Sequence, residues 1–98
     1  MKIKQDQRYL GEDWWSWSVW IEGEPAELDA IVKVVWHLHP TFPEPDRTHT
    51  NRQEQFRLES AGWGCFRIRA DAFLTSGGTR RLEHDLTLLY PNGTRTAA

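Results

Sequence analysis

The chain holds 98 residues, room for one compact domain and no second. Twelve Lys and Arg stand against fourteen Asp and Glu, a net charge of −2, too little positive charge to bind a nucleic-acid backbone by counterion release. The composition, 39% hydrophobic and 27% charged, is that of a folded globular chain rather than a disordered one. No apolar run approaches the ~20 residues of a membrane span, which excludes insertion by a helix.

The opening Met1-Lys2-Ile3-Lys4-Gln5-Asp6-Gln7-Arg8 is polar and carries no secretory pattern. Cys65 has no second cysteine to pair with, so no internal disulfide forms and a reducing, cytoplasmic setting is expected. Six tryptophans are the compositional anomaly. A domain of this size buries about two or three indoles, which leaves others exposed as binding surface.

Trp15, Trp17, Val19 and Ile21 alternate with Ser16, Ser18, Trp20 and Glu22, the period of a strand with an apolar inner face. Gly23-Glu24-Pro25 ends it, and Leu28 and Ile31 predict one helical turn over 25–31. Val32, Val34, Trp36 and Leu38 then share one face of a second strand, with Lys33, Val35, His37 and His39 on the other. Three prolines, Pro40, Pro43 and Pro45, make the next segment a stiff exposed loop. A short edge strand is expected over 47–51 and another over 55–59, with Phe56 and Leu58 inward. Ala61-Gly62-Trp63-Gly64 reads as a turn in which the glycines supply positive φ beside an indole. Phe66, Ile68, Ala70 and Ala72 define one arm of a hairpin, Ser76-Gly77-Gly78 its turn, and Leu82, His84, Leu86, Leu88 and Tyr90 the other arm. Residues 92–98 are expected to be a frayed tail or linker stub. About seven to eight short strands predict an all-β, immunoglobulin-like antiparallel sandwich formed by residues 1–98 as one domain.

Two loops carry unusual chemistry. His39-Pro40-Thr41-Phe42 and Gly62-Trp63-Gly64-Cys65-Phe66 each place an aromatic where the chain leaves a strand. If both lie at one end, Phe42 and Trp63 form a slot whose π-faces suit a flat, neutral guest such as an amide. Thr41 can donate a hydroxyl hydrogen bond oriented by His39, and the Trp63 amide can donate to a carbonyl. His37 and His39 share a strand face, but with His49, His84 and Cys65 they show no diagnostic ligand spacing, so neither metal nor cofactor is implied. His84-Asp85 with Thr41 or Ser60 lacks a nucleophile elbow or oxyanion motif, so no enzyme is expected.

The run from Val34 to Pro45 resembles the LHP-x-F-P segment of YEATS domains, and Phe56-Arg57-Leu58 followed by Ala61 to Phe66 resembles their GWG-x-F segment. Val19-Trp20-Ile21 with Gly23, and His84-Asp85-Leu86, add to the likeness, which runs from Trp17 to Leu88. Compactness and the tryptophan-rich start are most similar to the prokaryotic members of the family. The resemblance implies an immunoglobulin-type module that reads acylated lysine, acetyl or crotonyl, on a protein, a peptide or a small acyl ligand. It implies Phe42 and Trp63 as walls, Thr41 and the Trp63 amide on the acyl carbonyl, and His39 as the loop's support. Gly62 and Gly64 would shape the turn, Phe66 would back the pocket, and Asp85 would meet the flanking peptide. Cys65 departs from the family's usual Glu or Gly. The further family aromatic ahead of the second strand has no clean counterpart, with Trp14 or Trp15 nearest.

Two other readings fit the same sandwich. Exposed tryptophans also stack on sugars, which would make a carbohydrate-binding module. Alternatively the Trp14–Trp20 face docks another domain of the same polypeptide or a second copy, so an oligomer is conceivable.

Overall fold

A computed structural model describes residues 1–95. Seven strands form two antiparallel sheets: β1 (Lys2–Gly11), β2 (Trp14–Glu22), β3 (Ile31–His37), β4 (Asp46–His49), β5 (Leu58–Gly62), β6 (Phe66–Leu74) and β7 (Thr79–Leu86). One sheet runs β1-β2-β5 and the other β4-β3-β6-β7. Their facing sides enclose a common core that includes Trp15, Trp17, Val19, Ile21, Val34, Trp36, Leu58, Ile68 and Leu86. The short helix α1 (Pro25–Asp29) follows β2, with proline in its first turn and reciprocal hydrogen bonds between Glu24 and Glu27 at its start. The all-β immunoglobulin-like sandwich expected from strand periodicity is the observed fold.

Three of the six indoles, Trp15, Trp17 and Trp36, are buried, as the domain's size predicts. Trp15 and Trp36 satisfy their N–H groups on the Leu89 carbonyl (2.8 Å) and the Phe56 carbonyl (2.9 Å). Trp20 lies half-buried under the Arg57 guanidinium, 4.8 Å from the ring centroid. The expected exposed tryptophan face is therefore reduced to Trp14, 44% exposed, beside Leu10 at the β1–β2 hairpin tip.

The sequence reading differs from the structure at several places. The polar N-terminal run is strand β1, whose inward glutamines bond the chain after β7. Gln5 donates to the Thr87 carbonyl (2.7 Å) and accepts from the Thr87 amide (3.0 Å), while Gln7 accepts from the Leu89 amide (2.7 Å). A register shift between Ile31 and Lys33 buries Ile31 in place of Val32, which faces solvent. Gln55 and Phe56 adopt left-handed φ of 56° and 59°, so β5 begins only at Leu58, although Phe56 and Leu58 are both buried as expected. Finally, residues 92–95 are not frayed: a turn closed by the Tyr90 amide on Thr94 (2.8 Å) brings Arg95 opposite Leu89. The rest of the expected tail, 96–98, lies outside the described residues.

Candidate functional site

The β3–β4 connection is held from several sides. The Leu38 amide donates to Pro45 (2.7 Å) at its base, and the Phe42 amide donates to His39 (3.0 Å) across a tight turn with Pro40 in its corner. Arg47 donates to the Pro43 carbonyl (3.1 Å) and the Glu44 carbonyl (3.2 Å), and its guanidinium stands 6.0 Å from the Phe42 ring centroid. The proline-rich loop is thus a fixed platform for His39, Thr41 and Phe42.

Phe42 meets two more rings. Its centroid lies 5.5 Å from Phe66 and 6.1 Å from Trp17, Trp17 and Phe66 are 5.9 Å apart, and His39 approaches Phe66 at 6.4 Å. These separations are those of favourable edge-to-face and tilted aromatic pairs. Gly62, ending β5, completes the cluster: a Cβ there would stand 3.5 Å from Phe42 Cζ and 3.8 Å from Trp17 Nε1. Trp63 follows at once, 60% exposed. The two loops therefore meet at one end of the sandwich, and Gly64 and Cys65 complete the bend into β6. Gly62 does not use a left-handed φ, contrary to the turn expected there; the left-handed glycines are Gly11, Gly77 and Gly93. What Gly62 provides is space beside Phe42 and the indole N–H.

The His39–Thr41 geometry assigns their protons. The Thr41 backbone N–H donates to His39 Nδ1 (3.2 Å), which makes this nitrogen an acceptor. The 2.9 Å contact between Thr41 Oγ1 and His39 Nδ1 is then a hydroxyl donating to the imidazole. Oγ1 consequently presents lone pairs to an incoming group. In this orientation the hydroxyl is an acceptor toward the loop end, whereas the sequence reading expected a donor.

Asp85 is not brought to the rings. It lies exposed on the other face of β7, where Arg67 Nε donates to it at 3.0 Å, and this bond holds its carboxyl below the usual range. His84 is turned inward to Gln5 (2.7 Å), so neighbouring His84 and Asp85 serve different partners. Trp15, one of the two nearest counterparts of the further family aromatic, packs instead on Tyr9 and Tyr90. Trp17 is the aromatic that sequence reasoning assigned to the core alone; its position two residue pairs from Gly62 in the β2–β5 register was the missing signal. Among the described residues, no three His, Cys, Asp or Glu side chains converge to hold a metal ion.

A second polar cluster secures the loop's base. His37 contacts Asp46 through Nδ1 (2.7 Å) and Asp71 through Nε2 (2.8 Å), and Arg81 donates to Asp71 at 3.2 Å. Burial disfavours the charged imidazole, but the bonds and charges of Asp46 and Asp71 outweigh it and raise the His37 pKa above 6.5. The His37 bond and then Arg81 keep the Asp71 carboxyl below its ordinary value, against its own desolvation. A raised histidine pKa stabilises the fold fully below the unfolded value and loses that contribution as pH rises through the folded one. The Asp71 contribution is present above its unfolded pKa and is lost as pH falls through the depressed folded value. The clamp is therefore strongest in weak acid, above the carboxylate range and below ~6.5. In thermal melts at about pH 6 and about pH 8.5, His37→Gln is expected to destabilise the protein more at the lower pH. An equal loss at both would show the ring to be uncharged.

Along β1-β2-β5 runs a shallow groove of about 530 Å³, lined by residues including Asp6, Arg8, Ser16, Trp17, Ser18, Arg57 and Glu59. Its Arg57 is already bonded to Ser18 (2.8 Å) and Glu59 (3.3 Å), and its one aromatic lining residue, Trp17, packs its ring on Phe42 and Phe66 at the loop end. Size alone does not make it the better site.

Comparison with known proteins agrees with this fold. The profile of the prokaryotic YEATS domain matches residues 15–87. The chain belongs to the prokaryotic YEATS domain family. It is 32% identical over 66 residues to something about silencing protein 5 of Saccharomyces cerevisiae, covering 66% of this chain and 26% of that protein. It is 31% identical over 87 residues to transcription initiation factor TFIID subunit 14 of Schizosaccharomyces pombe, covering 86% of this chain and 35% of that one. The chain thus spans about a quarter to a third of these relatives. Among solved structures it superimposes on the Yaf9 YEATS domain bound to H3K27ac with a TM-score of 0.70, at 21% identity over 96% of this chain and 73% of that one. The same domain recognising an H3K122suc peptide gives a TM-score of 0.68 at 22% identity, over 96% of this chain and 72% of that one.

Proposed function

We infer that the domain is a non-catalytic reader of short acyl groups on lysine, of the acetyl or crotonyl kind. The observation that carries this reading is the convergence of Phe42, Phe66, Trp17 and Gly62, with exposed Trp63 next in the chain after Gly62, at one end of the sandwich. An acyl amide is planar, neutral and polarisable, which suits insertion between aromatic faces. Its N–H is met by Thr41 Oγ1, whose own hydrogen is turned to His39, and its carbonyl accepts from the Trp63 backbone amide. The solved Yaf9 complexes, in which a domain of this fold recognises acylated histone peptides, support the same class of ligand. The carrier is a protein or peptide bearing such a lysine, or a small acyl amide. The unpaired thiol of Cys65 accords with a reducing, cytoplasmic setting.

The test is calorimetric titration with one lysine peptide in acetylated, crotonylated and unmodified forms, and with an oligosaccharide. Saturable binding of an acylated form, about tenfold or more tighter than the unmodified one, is expected. Equal binding of the unmodified peptide would identify a cation cage instead. Binding of the oligosaccharide alone would transfer the rings to sugar stacking.

A further inference from the structure

Trp17 carries the one polar side-chain atom among the described residues that is buried with no hydrogen-bond partner, its indole Nε1. Buried indole N–H groups are ordinarily paired, as those of Trp15 and Trp36 are here. The orphan donor is not in the middle of the core. A Cβ on Gly62 would lie 3.8 Å from it and 3.5 Å from Phe42 Cζ, so the nitrogen borders the room of one methyl group that Gly62 leaves at the edge of the Phe42 ring. Phe42 belongs to the loop and is half-buried, whereas Trp17 and Phe66 are anchored on β2 and β6.

We propose that the Trp17 indole N–H is a specificity-determining donor, satisfied when the acyl chain carries an oxygen acceptor beyond its amide. This rests on the acyl-lysine reading above. Thr41 and the Trp63 amide already serve the amide at the rim, which leaves the deeper indole for a group further along the chain. The acceptor is a neutral hydroxyl or keto oxygen. A carboxylate would lose its water against Phe42 and Phe66, and Arg47, the cation beside the Phe42 ring, turns Nε and Nη2 to the Glu44 and Pro43 carbonyls. A butyryl chain leaves the buried donor unpaired, while a 3-hydroxybutyryl chain can pair it. Discrimination of this kind comes from the penalty on the unpaired site as much as from the new bond.

The experiment compares one lysine peptide carrying butyryl or 3-hydroxybutyryl, using the whole chain labelled with nitrogen-15 at its indoles. The hydroxylated peptide is expected to bind about fivefold more tightly, the factor of one neutral hydrogen bond. Only that peptide should move the Trp17 Nε1–H resonance downfield. In Trp17→Phe, which keeps a ring and removes the donor, the ratio of the two affinities should fall to about one. Should Trp17→Phe fail to fold, Gly62→Ala serves the same purpose: its Cβ fits at ordinary contact distances and fills the gap before Nε1. Equal affinities in the parent protein, or a preference that survives removal of the donor, would overturn the inference while leaving the acyl reader standing. Binding of neither peptide would sink both.

Discussion

Trp63→Ala is expected to weaken an acetyl-lysine peptide by about thirtyfold or more, the loss typical of a central aromatic at a binding site. The same change should leave the fold nearly untouched. Solvent already reaches 60% of the side chain, and substitutions at such positions cost about 0.5 kcal/mol or less. The contrast between a large affinity loss and a small stability loss is what separates a wall of the slot from a piece of core. Calorimetry for binding and a urea melt for stability measure the two halves. A folded Trp63→Ala protein that binds at full strength would remove Trp63 from the site.

The opposite pattern is expected for Trp36→Ala. This indole is wholly buried between the sheets, and its Nε1 donates to the Phe56 carbonyl at 2.9 Å. That carbonyl belongs to a residue held at φ 59°, directly after Gln55 at 56°, so Trp36 secures a turn that local preference does not favour. Truncation leaves a cavity and an unpaired acceptor together, with a cost of about 3–5 kcal/mol. Against a total of about 5–15 kcal/mol, this shifts the urea midpoint sharply downward or unfolds the domain. A midpoint within error of the parent would mean that Trp36 does not hold the core.

Where one face of a strand is uniformly apolar, alternation alone located it. Trp15, Trp17, Val19 and Ile21 in β2, and Ile68, Ala70 and Ala72 in β6, all point into the core as their period requires. β1 escaped because its inward positions, Gln5 and Gln7, are hydrogen-bonding devices and break the apolar pattern. The Ile31–Lys33 shift and the left-handed pair Gln55-Phe56 are backbone events that no side-chain period encodes. The candidate site was legible in its loop residues, since a proline-rich segment and a Gly-Trp-Gly run mark aromatics where the chain leaves a strand. Its floor was not. Trp17 follows the core period faithfully, and only the pairing of Trp15 with Gly62 places its indole beside Phe42. Gly62 was recognisable as special, but the reason is the volume of an absent Cβ rather than a turn conformation.

The most direct test of the central claim is an isotope-filtered NMR experiment on the labelled domain with an unlabelled acetyl-lysine peptide, reading nuclear Overhauser contacts from the acetyl methyl. Contacts to the rings of Phe42, Phe66 and Trp63 are expected, with amide shifts confined to the two loops. Contacts instead to Arg57, Glu59 and Ser18 in the groove of the three-stranded sheet would contradict the account and move the binding site away from the two loops.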